Sequence, residues 1–257
     1  MSIQIHPERP NDFYTAVAKG DIPGHSMVHK FGRNTLIDTA TDPEDVWDGG
    51  GIWVAPTAAR THDIASGNGA DAAAGLGAQT IRVEGLDSAG VLQGEDITMN
   101  GVTNVPTAST YTMIHRMYVL TVGATGTNVG VITATAQTDA TVTAQISIGG
   151  FNQTLMAIYR IPSDKTGYLM CFWGSVNGGN AGGADVNLVL EADNSADGLY
   201  RVQFTTGLNS DGTSHFEHVY RAPVKYDASQ TLKMNVEQVS ANNADVSAGF
   251  DILLVDN

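Results

Sequence analysis

Two histidine pairs are the first residues in this chain whose types and spacing suggest chemistry. His25 and His29 are four residues apart, the separation that sets two zinc ligands on one helical face. Pro23 and Gly24 directly before them weaken any such helix. His215 and His218 are three apart in a segment that reads as a strand, which sends their rings to opposite faces. No cysteine or carboxylate completes a zinc set around either pair. The runs at 193–198 and 209–212 (DNSADG, NSDG) offer carboxylates of the kind calcium uses, through Asp193, Asp197 and Asp211. Neither has the spacing or the closing glutamate of a calcium loop, and turn formation accounts for both. Cys171 is the only cysteine and lies in the apolar string YLMCFW, the setting of an inert buried thiol. Ser26 lacks the second glycine of a nucleophile elbow, and there is neither a P-loop nor a dinucleotide fingerprint. The residues therefore define no catalytic, cofactor-binding or metal-binding set, and the chain reads as a non-enzyme.

The elements that would position these residues follow from composition. The chain has 257 residues, and 27 carboxylates against 13 Lys and Arg give a formal net charge of −14. An acidic excess argues against wrapping nucleic acid or docking on an anionic membrane, since both need a Lys/Arg footprint. No apolar run reaches the ~18 residues of a membrane-spanning helix, and the N-terminus has no signal-peptide core, so the expectation is folding without export. A single cysteine excludes an internal disulfide framework. Thr (26) and Val (23) far outnumber Leu (14), and β-branched side chains favour pleated surfaces over helices. With 29 glycines to supply turns, the composition predicts an all-β fold.

The pattern along the chain divides it into three parts. Residues 1–48 read as an extended N-terminal arm interrupted by Pro7, Pro10, Pro23 and Pro43. A short helix is predicted at 11–20, capped by Asn11 or Asp12 and ended by Gly20. Residues 49–149 form a first β-rich region, with strands expected near 52–55, 61–65, 80–85, 95–99, 110–122, 130–136 and 141–148. The Gly/Ala-rich stretch 66–78 reads as a surface loop. Residues 150–257 form a second β-rich region with strands expected near 154–161, 167–176, 184–191, 199–205, 214–221, 230–239 and 245–255. Strands of this number and spacing suggest a jelly roll or β-sandwich. The last strand is apolar on both faces, which predicts a central position or a subunit contact.

Several strings together resemble a known family. They are VHKFGRN (28–34), APTAARTHDIAS (55–66), DAAAGLGAQTIRVEGLD (71–87), ITMNGVTNVPT (97–107), NVGVITATA (128–136), VTAQI (142–146), QTLMAIYRIP (153–162), HFEH (215–218) and DVSAGFDILLVDN (245–257). The chain resembles virion structural proteins of tailed, mostly aquatic bacteriophages across residues 20–257. That resemblance implies a virion component assembled in the host bacterium's cytoplasm as a homo-oligomer, trimer or dimer. It would bind the major capsid protein or neighbouring virion proteins, with no cofactor. A major capsid shell protein needs a long spine helix, for which no stretch has the periodicity. A capsid decoration (cement) protein fits better, with a tail, collar or fibre-base protein as the alternative. In the arm, Lys30, Phe31 and Arg33 surround Gly32, and Trp47 precedes the glycine run 49–51. These four residues are the expected partner contacts: Arg33 to fork onto a carboxylate, Phe31 to fill a pocket and Trp47 because tryptophan is costly to leave in water, with packing back against the chain's own β-core as the alternative for Lys30, Phe31 and Arg33.

Overall fold

β-Branched segments separated by glycine-marked turns produce sixteen strands and one short helix in the computed structural model, which describes residues 10–178, 183–194 and 198–257. The helix, α1, spans Pro10–Ala18. Gly20 ends it with a φ of 77°, and the N–H groups of Gly20 and Asp21 bond back to Val17 O and Ala16 O, both at 2.9 Å. The expected Asn11/Asp12 cap lies outside the described side chains. The strands are β1 (His25–Ile37), β2 (Glu44–Asp45), β3 (His62–Ser66), β4 (Ala78–Leu86), β5 (Leu92–Thr98), β6 (Val105–Pro106), β7 (Met113–Val122) and β8 (Ile132–Ala136). They continue as β9 (Thr141–Ile146), β10 (Ile158–Arg160), β11 (Lys165–Val176), β12 (Asp185–Ala192), β13 (Arg201–Asn209), β14 (His215–Tyr226), β15 (Thr231–Val239) and β16 (Ala244–Asp256).

These strands make four antiparallel sheets. Their orders are β1-β16-β11-β14, β10-β15-β12-β13, β6-β3-β8-β9 and β5-β4-β7, with β2 pairing the same edge of β15 as β10. The first two sheets enclose one core. Phe172, Phe250, Ile252 and Leu254 from one meet Leu188, Leu190, Leu232 and Met234 from the other. The last two enclose a separate core of Ile64, Ile132 and Ile146 against Ile81, Val83, Ile114 and Met117. Alternation explains the pairing: along β16, Val246, Ala248, Phe250, Ile252 and Leu254 all enter the first core. β16 is central, between β1 and β11, as its two apolar faces predict.

Two sequence expectations are corrected. Residues 25–47 are not a separate arm. β1 pairs with β16 over its whole length, from His25↔Val255 to Ile37↔Ala244, and Ile37 and Val46 belong to the first core. The larger lobe is therefore built from 25–47 together with 157–256. The smaller lobe, running from about residue 52 to 153, is inserted between them. The anticipated join near 149–150 lies where the chain leaves the inserted lobe, so it marks a true border, but the border at 48 is a crossing between lobes. The physical reason the strand escaped detection is its buried face. Lys30, Gly32 and Asn34 point inward, so apolar and polar residues do not alternate. Gly32 is dictated by close approach, since a Cβ there would lie 2.2 Å from Val46 O and 2.3 Å from Ala157 N. The strand expected at 52–55 is a connecting segment.

Candidate functional site

Because β1 lies at the edge of its sheet beside the inserted lobe, its side chains build the seam between the two lobes. Lys30 faces the core side of the sheet, opposite Phe250, and is only 7% exposed. Its Nζ donates to the backbone carbonyl of His115 on β7 of the inserted lobe. Burial pushes the Lys30 amine down to about 7; Arg116 pushes the same way and Asp48 opposes. His115 is buried, with its ring stacked 4.1 Å from that of Tyr159 and its Nε2 without a partner. Burial, then the positive charges of Lys30 and Arg160, hold it well below the usual histidine range, so the ring is neutral. Asp48 accepts from Ser147 N at 3.2 Å through one oxygen, while its other oxygen is buried and unpartnered. Burial raises its carboxyl to about 7.

The remaining predicted contacts are divided between this seam and the outer sheet face. Trp47 is 4% exposed and packs with Trp53, Met113, Met156 and Ile158 in a small third core that joins the lobes. Its Nε1 donates to Gly51 O at 3.1 Å. Arg33 forks onto a carboxylate as expected, but the carboxylate is Asp245 of β16, reached at 2.8 and 2.5 Å. Phe31 is half-buried, 5.5 Å from the His29 ring, and His29 Nδ1 bonds Asp251. Lys30 and Trp47 are thus consumed inside the chain, and Arg33 is bonded within it; of the four, Phe31 keeps a partly open face. The reason is the one that hid β1: the segment carrying them is part of the fold. Two grooves flank β1 where it meets the inserted lobe. One of about 420 Å³ is lined by Arg33, Leu36, Asp48, Ile148 and Phe151, and one of about 270 Å³ by His29, Phe31, Arg116 and Gln153.

Sequence reasoning missed two buried carboxylates that organise these segments. Asp45 is fully buried and receives Lys233 Nζ at 2.8 Å, Asn235 Nδ2 at 3.0 Å and Trp53 N at 2.8 Å. It fixes the crossing segment to β15. Asp71, in the Gly/Ala-rich loop, accepts from Ser66 Oγ and from the backbone N–H groups of Ala78, Val129 and Gly130 at 2.6–2.9 Å. No sequence signal separates these two from the other 25 carboxylates, because the partners that make them internal, Lys233 and Asn235 for Asp45 and Val129 and Gly130 for Asp71, are distant in the chain. Asp193 accepts from Thr231 N at 2.7 Å, while Asp197 lies outside the described residues. Among the described residues no three His, Cys, Asp or Glu side chains converge. Cys171 Sγ sits 3.5 Å from Asp251, and burial together with that carboxylate pushes the thiol up to about 11, so it is no nucleophile at neutral pH.

The opposite side of the larger lobe is open. Phe204 of β13 and Phe216, His218 and Tyr220 of β14 turn inward around the buried Phe172, with ring centroids 5.0–6.0 Å from it, yet all four remain half-buried. Val202 (59%) and Val219 (64%) beside them are exposed. His215 and His218 do face opposite ways, the first outward and exposed. The arrangement offers surfaces for association: two seam grooves and one unsealed edge. Compared with known protein families and curated proteins, the chain matches no family model and no curated sequence.

Proposed function

We propose that this chain is a non-enzymatic structural subunit of a tailed-phage virion, a capsid decoration protein that binds the major capsid shell. The observation that carries the reading is the strand order of the larger lobe. Numbered within that lobe, leaving out the two-residue β2, β1 and β10 to β16 are eight strands. They lie in the order first, eighth, third, sixth in one sheet and second, seventh, fourth, fifth in the other. We read that order as a jelly roll, two Greek keys in facing sheets, an architecture used repeatedly in viral shells. The resemblance of residues 20–257 to virion structural proteins supports the same reading. The inserted lobe interrupts the connection between the first and second jelly-roll strands and supplies a second, separately cored surface for neighbours in the particle.

The test is to count copies of the chain against the major capsid protein in purified virions by quantitative mass spectrometry, and to locate it in a virion density map. A copy number comparable to that of the shell protein, with density on the capsid surface, supports decoration. A low copy number confined to the tail or collar moves the assignment to a tail component. Absence from the particle overturns the virion reading.

A further inference from the structure

Positive charge is neutralised unevenly in this acidic chain. Arg33, Arg60, Arg82, Lys165, Lys225 and Lys233 are each ion-paired to a carboxylate. Lys30 and Arg116 have no carboxylate partner among the described residues, and both line one groove of about 270 Å³, with His29, Phe31, Gln153 and Thr154 as its other walls. Lys30 is 7% exposed and uses one of its three N–H donors, on the neutral carbonyl of His115. Arg116 donates to Gln153 Oε1 at 2.6 Å, and its guanidinium lies 4.6 Å from the centre of the Tyr118 ring. Both contacts are neutral, and the fork has further N–H donors. Glu84 stands opposite Arg116 in the β4–β7 register, but its carboxylate turns to Arg82 at 3.7 Å and to the Tyr118 hydroxyl at 3.3 Å. The neutral polar groups of the groove also have donors to give. Gln153 accepts from Arg116 through its oxygen, which leaves its Nε2 to donate. Thr154, 4% exposed, accepts from Met117 N at 3.3 Å, which leaves its O–H to donate. Asp251, across the His29 ring, already accepts from His29 Nδ1 and Cys171 Sγ.

We propose that this groove binds a small oxyanion of the phosphate class, with Lys30 and Arg116 supplying charge and Gln153 Nε2 and the Thr154 hydroxyl supplying neutral hydrogen bonds. The donors come from three separate segments, β1, β7 and the turn back at 153–154, so they approach the groove from different directions. That suits a tetrahedral anion, which presents acceptor oxygens all round, better than a carboxylate, whose two oxygens lie in one plane on one side. The anion also supplies the counter-charge that a buried ammonium needs. Burial lowers the Lys30 amine to about 7, and Arg116 acts in the same direction, so a neighbouring anion restores its protonated form. β1 belongs to the larger lobe and Arg116 and Gln153 to the inserted one, so the bound anion ties the two lobes together across the seam. This inference is independent of the virion reading, since it rests on the donors of the groove alone.

The experiment is isothermal titration calorimetry of sodium sulfate, sodium phosphate and sodium acetate, in turn, into the full chain at constant ionic strength. Sulfate and phosphate are expected to bind saturably, one per chain, with Kd at or below about 1 mM, and acetate at least ~10-fold more weakly. Arg116→Gln, at an exposed position, should weaken sulfate binding at least ~10-fold with the fold intact by circular dichroism. Lys30→Met should abolish it, and Arg221→Gln, which removes an exposed cation of β14, should leave it unchanged. In a second measurement, sulfate should raise the melting temperature of the wild type and not that of Arg116→Gln. A wild type that takes up neither sulfate nor phosphate saturably overturns the proposal. So does sulfate binding that Arg116→Gln leaves unchanged, or that Arg221→Gln weakens as much. Acetate bound as tightly as sulfate overturns the phosphate-class assignment.

Discussion

The two sides of the larger lobe solve the problem of a sandwich edge in opposite ways. On the seam side, β1 and β10 are sealed by the crossing segment and the inserted lobe, and the seal is polar: Lys30, Asn34, Asp45 and Lys233 are all at most 7% exposed. On the open side, β13 and β14 leave four inward-facing aromatic rings half in water. One side buries charge to fix two lobes in place. The other leaves apolar surface unfinished. The contrast teaches that at these two edges burial does not follow hydrophobicity: topology decides which edge is covered, and the side chains there are bonded accordingly.

Substitutions at matched positions test that contrast. The largest effect is expected from Gly32→Val, because its Cβ would strike backbone atoms of Val46 and Ala157, which have no room to move. Loss of soluble folding, or at least ~4 kcal/mol by denaturant titration, is expected. Gly207→Val on the open side should change stability by no more than ~0.5 kcal/mol. Next is Asp45→Ala, which leaves Lys233 buried without its closest carboxylate and should cost about 3–5 kcal/mol in chemical denaturation. Third, Phe172→Ala should cost about 3–5 kcal/mol, whereas Phe204→Ala, starting half in water, should cost about half as much by the same measurement.

The seam also has a pH signature. Asp48 is raised to about 7 in the fold, so its contribution is intact below about 4 and is lost as pH rises to about 7. Lys30 is lowered to about 7, so its contribution is intact above about 10.5 and is lost as pH falls to about 7. The two losses coincide near pH 7. The double variant Lys30→Met/Asp48→Asn should therefore melt above the wild type by a few degrees at pH 7, with the difference narrowing toward pH 5 and toward pH 9. A difference that is flat with pH would remove these groups from the account.

Much of the fold was legible in the sequence. Thirteen expected strands, from 61–65 to 245–255, correspond to observed ones with shifted ends, because alternation along segments such as Ile81–Glu84 and Leu232–Glu237 reflects one face in a core. What was not legible was membership. β1 has polar residues on its buried face because that face meets another lobe, so local pattern could not mark it as a strand. Its partner β16 lies over two hundred residues away. Of the expected partner contacts, Lys30 and Trp47 are buried for the same reason. Trp47 was singled out as costly to leave in water and Lys30 as a contact cation, but the surface that buries both is the chain's own.

The central claim is that the N-terminal segment is a strand of the larger lobe, and hydrogen exchange on the full-length protein tests it without any truncation. If β1 is bonded to β16 from His25 to Ile37, the amides that β1 directs at β16 should exchange as slowly as those of β16 itself, and both should open together as denaturant is added. Complete exchange across residues 25–37 at the earliest time point, with β16 still protected, would show the segment to be a detached arm and would contradict the account.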